Sequence, residues 1–302
     1  MYDPIYESYE TLPDYPEAIP QPESDSTLLA LIPVFRDPYV RVENMPVFIK
    51  SAAYSRASCL KYTDATEMGV AVKFYVQRGV QWRFRKVFEA NHIDLENDVV
   101  FFPERPPGLG NNIWSKFGKK TRSYYHFSLA EYQRIVCFDV DMWFIQPTNL
   151  FEKLATLPDD MIAYAEVNDH ESDRIKRRIE QHTYKNGLPV DTLLSRAGIT
   201  DLPETIRKPL GYFWTHPTHL TTEMRHFDFV SWIADHSPYI GDDENIMALA
   251  SHKFGYPLHS LQTFGITFAR VRDVMSGESA EIAHGKAPYE QDNDFNDFLV
   301  NL

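Results

Sequence analysis

An α/β fold with a mostly parallel sheet is what this sequence predicts, and three observations predict it. Short apolar runs of strand length alternate with segments of helical length. Pro, Gly and Asn punctuate the joins between them. One apolar run, "RIVCF" at 134–138, ends abruptly in two acids, Asp139 and Asp141. In an open α/β sheet the carboxyl ends of strands are where ligands bind.

The elements follow in order. "TLLALIPVF", 27–35, reads as a buried strand closed by "RDPY". "MPVFIKSAAYSRASCLKY", 45–62, reads as a helix with Pro46 in its first turn, where a missing N–H costs nothing. "GVAVKFYVQ", 69–77, is a second strand, "QWRFRKVFEANH", 81–92, a helix, and "DVVFFPE", 98–104, a third strand. A "RPPGLGNN" loop leads into a polar helix around 113–131. After the acids, "QPTNLFEKLATL" is a short helix with Thr148 or Asn149 as its cap. "MIAYAEV", 161–167, is a strand, and 170–187 a charged helix ending at Gly187. Residues 208–217 read as a strand or irregular segment and 218–236 as an amphipathic helix. Residues 241–255 are a further helix with acids at its start and Gly255 after its end. "LQTFGITFARVR" is a late strand.

The 302 residues and their 43% apolar content suffice for a sizeable core. Residues 1–26 hold five Pro, seven acids, four Tyr and no Lys or Arg, so they are expected to form an extended arm. The tail at 291–302 is again acidic. A single domain over 27–290 is expected between them. The net charge of −13 disfavours a general nucleic-acid binder. Two cysteines, Cys59 and Cys137, form neither a disulfide framework nor a CxxC pair, which suits a reducing, cytoplasmic compartment. The sequence shows no signal-peptide pattern and no apolar window of transmembrane length.

Two carboxylates at i and i+2 point to opposite faces of a continuing strand. Where the strand ends they can converge on one hard divalent cation, Mn²⁺ or Mg²⁺, which takes one or two carboxylates together with substrate phosphates. The bland reading is one acid capping a turn and one solvated. Upstream, "WSKFGKKTR" gathers Lys116, Lys119, Lys120 and Arg122, a positive patch suited to a diphosphate. Downstream, "EIAHGKAPYE" supplies His284 and Lys286, an imidazole ligand and a phosphate donor. Trp143, Tyr212 and Trp214 are either core or faces for a sugar.

The order of these features resembles the GT-A glycosyltransferases, and within them the glycogenin-like retaining family. Four segments carry the resemblance: "TLLALIPVF", "KTRSYYHFSLAEYQRIVCFDVDMWFIQP", "GDDENIMAL" and "HGKAPY". The last is compressed relative to the family's His-x-x-Gly-x-x-Lys-Pro-Trp, with Tyr289 in place of Trp. The resemblance implies a Rossmann-like GT-A fold with a mixed, mostly parallel sheet over 27–290, with a nucleotide-binding half at 27–141 and an acceptor and sugar half at 142–290. It implies transfer of a hexose from a nucleotide diphosphate sugar, a UDP-hexose, to a hydroxyl of a glycan, protein or small-molecule acceptor. It places Mn²⁺ or Mg²⁺ on Asp139, Asp141 and His284. Lys119, Arg122, Asp139 and Lys286 would contact the donor, and Asp242 or Asp243 would act catalytically beside the sugar. Region 166–207 matches no part of the family and is expected on the acceptor side. Two rivals stand beside this reading. A haloacid-dehalogenase-like phosphatase also uses Asp-x-Asp, although Trp143 stands where its pattern has Thr or Val. The other is a non-catalytic sugar- or nucleotide-binding protein of the same fold.

Overall fold

The computed structural model of the chain describes residues 28–34, 42–77, 79–101, 132–159, 161–183, 188–210, 213–217, 228–229, 232–233, 236 and 243–285. The arm expected over 1–26, the polar helix expected around 113–131 and the acidic tail at 291–302 lie outside these residues.

The first strand, β1 (Leu28–Val34), is buried at all seven positions. It can be, because the core clusters on both of its faces. Leu28, Ala30, Ile32 and Val34 pack on one side and Leu29 and Leu31 on the other. A strand covered twice reads as an unbroken apolar run, as a central parallel strand should. It pairs in parallel with β2 (Ala71–Val76) and with β4 (Arg134–Phe138). On its other side β2 pairs in parallel with β3 (Val99–Phe101). Beyond β4 lies β9 (Phe213–Pro217), antiparallel to β4 and to β6 (Ile162–Tyr164), which pairs in parallel with β10 (Leu258–Ser260). The seven-stranded order is β10-β6-β9-β4-β1-β2-β3. This is a mixed, mostly parallel α/β sheet, the class the sequence predicts.

Helix α1 (Met45–Tyr62) covers one face, with Pro46 at its start. The helix expected over 81–92 is two short ones, α2 (Val80–Arg83) and α3 (Arg85–Ala90), broken at Phe84, whose backbone leaves the helical region. Helix α4 (Leu150–Ala155) starts at Asn149 as expected, but the Asn149 side chain makes no cap hydrogen bond. Asp64, distant in sequence, accepts instead from the N–H groups of Phe151 (2.9 Å) and Glu152 (2.7 Å).

The other face is covered by α5 (Ser172–Thr183), α6 (Val190–Arg196) and α7 (Asp243–Phe254). Gly255, at φ +70, ends α7 in the left-handed conformation glycine tolerates. Of the helix expected over 218–236, the described residues Phe229, Trp232 and Ile233 are helical and buried.

The segment expected as one strand near 208–217 is two. β8 (Thr205–Pro209) pairs with β7 (Val167–Glu171) in an antiparallel arm, and β9 enters the main sheet. "LQTFGITFARVR" is a 3-10 turn, the short strand β11 (Phe268–Arg270) and the start of α8 (Val271–Met275). β11 pairs in parallel with β12 (Ile282–His284), which pairs antiparallel with β5 (Met142–Phe144). No described helix is long and apolar enough to cross a membrane.

Candidate active site

The acids at 139 and 141 sit where the main sheet hands over to this small second sheet. β4 ends at Phe138, which stacks on Phe213 at 6.1 Å and meets Phe144 edge-on at 5.4 Å. The chain then turns, with the Met142 N–H bonding the Asp139 carbonyl at 3.2 Å, and leaves as β5. The two acids are therefore separated by a turn, not by a continuing strand. That is what permits polar side chains between two fully buried strands.

The small sheet brings in the residue from the far end of the chain. In the β5–β12 register His284 lies opposite Met142, and the Gly285 N–H donates to the Asp141 carbonyl at 2.9 Å. His284 Nε2 stands 3.7 Å from Asp141 Oδ1, with side chains 27% and 11% exposed. That separation is too long for a direct hydrogen bond. It does suit two donors of one ion, since metal–ligand bonds of about 2.1 Å allow donor pairs up to about 4.2 Å apart. Asp139 is half-buried, and its Oδ1 is out of contact with solvent. Among the described residues no three His, Cys, Asp or Glu side chains gather into a group that holds a metal unaided. The structure thus brings together Asp141 and His284 of the expected three. A carboxylate, an imidazole and substrate phosphates together still satisfy a hard divalent ion.

The other expected residues divide by position. Lys119, Arg122, Asp242 and Lys286 lie outside the described residues. Asp243 opens α7. Because α7 runs into β10 through residues 255–257, and β10 is parallel to β6, its first turn lies at the carboxyl edge of the sheet. β9 is antiparallel to both β4 and β6, so β4 ends at that same edge. The acids at 139 and 141 and the start of α7 therefore share one edge, the edge that binds ligands in open α/β sheets.

Trp143 is fully buried, packing with Val271 and Ala283, and so presents no face to a ligand. Both cysteines are buried; burial pushes the Cys59 thiol up to about 12 despite its contact with Thr63, which removes it as a nucleophile.

Sequence reasoning passed over two features here. Lys208, on β8, is nearly enclosed and pairs with Glu244 in the first turn of α7 at 2.7 Å. His170, on β7, is held below its ordinary value by burial first and then by Lys208 and Arg174. The stretch from β7 through β8, with α5 and α6, also borders a cavity of about 610 Å³ whose lining includes Glu171, Lys176, Asp191, Asp201 and Glu204. This is the region that matches no part of the resembled family.

No protein-family model matches the chain, and no curated protein sequence does. Solved structures similar to it include mouse xyloside xylosyltransferase 1 in its apo form, at 13% identity and a TM-score of 0.45, covering 87% of this chain and 99% of that one. The galactosyltransferase LgtC in complex with donor and acceptor sugar analogues is similar at 11% identity and a TM-score of 0.47, covering 91% and 96%. The mannosyltransferase Ktr4p from S. cerevisiae is similar at 12% identity and a TM-score of 0.42, covering 82% and 73%.

Proposed function

We propose that this chain is a metal-dependent GT-A-type glycosyltransferase that moves a hexose from a nucleotide diphosphate sugar, a UDP-sugar, to an acceptor hydroxyl with retention. The observation that carries the reading is the approach of His284 Nε2 to Asp141 Oδ1, 3.7 Å apart, beside the carboxyl end of β4. A carboxylate from the middle of the chain and an imidazole from near its end, meeting at a ligand-binding edge, suit a divalent cation that also takes substrate phosphates.

Asp141 and His284 would hold Mn²⁺ or Mg²⁺, with Asp139 beside them as a further metal ligand or a contact to the ribose. Bound there, the ion supplies charge neutralisation for the departing diphosphate. Lys119, Arg122 and Lys286 are the proposed donor contacts. Asp243, at the start of α7, or its sequence neighbour Asp242 would hydrogen-bond the sugar hydroxyls and steady positive charge at the anomeric carbon. The acceptor side is proposed along the β7–β8 arm and its cavity.

The test is a thermal-shift panel of UDP-, GDP-, dTDP- and CMP-sugars with and without Mn²⁺, followed by donor hydrolysis and transfer assays. A donor that binds the folded state raises the unfolding temperature by linkage. The UDP-sugars should stabilise most, and only with Mn²⁺ present. Asp141→Asn should remain folded but lose the Mn²⁺-dependent shift and turnover. Undiminished activity in Asp141→Asn sinks the proposal.

A further inference from the structure

Helix α1 carries three buried serines, Ser51, Ser55 and Ser58, each no more than 5% exposed. Their spacing of four and three residues places them along one face of the helix. Serine is a modest helix former, and its hydroxyl ordinarily bonds water or its own helix. Here the hydroxyls reach into the turn that carries Asp141. Ser51 Oγ donates to the Val140 carbonyl at 2.7 Å, and Ser55 Oγ to the Met142 carbonyl at 2.6 Å. Ser58 Oγ accepts from the Phe144 N–H at 3.1 Å and donates to the Ser55 carbonyl at 2.9 Å.

The pattern has a structural logic. Along an extended segment the backbone groups of alternate residues face opposite edges. On one edge the Asp141 carbonyl and the Ile145 N–H bond the β12 side, through Gly285 and Glu281. On the other edge Met142 and Phe144 of β5 would face a neighbouring strand, with Val140 in the turn just before them, and the serine stripe stands in that strand's place. The peptide carbonyls before and after Asp141 are thus anchored to α1, while its own carbonyl is anchored to the segment that delivers His284. Three groups drawn from two distant parts of the chain, α1 and the segment after β12, thus hold the backbone around a single residue.

We infer that Ser51, Ser55 and Ser58 are positioning residues for the cation site: they fix the backbone on both sides of Asp141 so that its carboxylate stands at His284 before an ion arrives. This rests on the reading of Asp141 and His284 as cation ligands. Preorganised ligands bind without a further ordering cost, and outer partners that orient ligands typically alter metal affinity by about 10–100-fold.

The experiment measures Mn²⁺ binding to the full chain at a fixed excess of UDP, whose phosphates complete the ion's ligands, by the electron paramagnetic resonance signal of Mn²⁺ against a control of UDP and Mn²⁺ without protein, alongside thermal unfolding. Ser55→Ala should stay folded and raise the Mn²⁺ dissociation constant by roughly tenfold. Ser55→Thr, which keeps the hydroxyl, should recover most of that loss. Ser51→Ala, whose hydrogen bond lies on the other side of Asp141, should weaken Mn²⁺ in the same direction and serves if Ser55→Ala does not fold. Wild-type Mn²⁺ affinity in the alanine variants, whatever their unfolding temperatures, overturns the inference and leaves the serines as anchors of the fold alone. Failure of the underlying reading looks different: the wild type then binds no Mn²⁺, or Asp141→Asn binds it as tightly as the wild type.

Discussion

Lys208 Nζ stands 2.7 Å from Glu244 Oε2, tying the β7–β8 arm to the first turn of α7. The pair is unequal. The Lys208 side chain is 5% exposed, whereas that of Glu244 is 27% exposed. A helix N-terminus carries partial positive charge, which favours the carboxylate and disfavours the ammonium. The ammonium is therefore the member that depends on its partner.

The consequence is an asymmetric response to mutation. Glu244→Ala strands a buried cation beside a helix N-terminus and should cost about 3 kcal/mol, the range for breaking a buried pair. Lys208→Met replaces the cation with an apolar chain of similar length and leaves a carboxylate that still reaches water, so it should cost clearly less. Urea unfolding of the two variants at neutral pH measures this. Equal losses would show that the enclosed ammonium is not the expensive partner.

How much of this was legible beforehand depends on where each element draws its stability. β1 and α1 were legible nearly to the residue. Burial on both faces makes β1 an uninterrupted apolar run, and Pro46 marks the start of α1. The acids at 139 and 141 stood out because a buried strand does not accommodate them without a turn. β10 and β12 escaped notice, since three-residue strands are defined by their partners across the sheet and leave little local pattern. His284 was reached through its motif, not through the strand that places it. The break at Phe84 and the Lys208–Glu244 pair likewise depend on tertiary contacts. The serines of α1 are a different case: their helical spacing was visible, but spacing alone does not say what lies opposite.

Asp64 offers a second measurable case. Its carboxylate accepts from two free N–H groups at the start of α4, a task usually done by the residue immediately before the helix. Asn149 occupies that position, yet its side chain bonds only the Glu152 carboxylate, at 3.2 Å. Asp64→Ala should therefore cost about 1 kcal/mol, typical of a lost cap, and Asn149→Ala markedly less. Chemical denaturation of both variants decides between the two caps, and a larger loss at Asn149 would reverse the assignment.

The last prediction concerns acid. Glu281 Oε2 accepts from the Thr267 N–H at 2.8 Å and from the Thr267 hydroxyl, while the Glu281 carbonyl accepts from the Ile145 N–H at 2.9 Å. Partial burial alone would raise the carboxyl, but the hydrogen bonds from Thr267 outweigh it and hold the group below its ordinary value of 4.5. A carboxyl whose folded value is lowered stabilises the folded state in full above 4.5, and that contribution disappears as the pH falls through the folded value. Glu281→Gln cannot titrate, so at neutral pH it should be the less stable protein. The gap to the wild type should then close on acidification from about pH 7 to about pH 3. Urea midpoints for both proteins across this range supply the check, and a gap that stays constant with pH removes Glu281 as the titrating group.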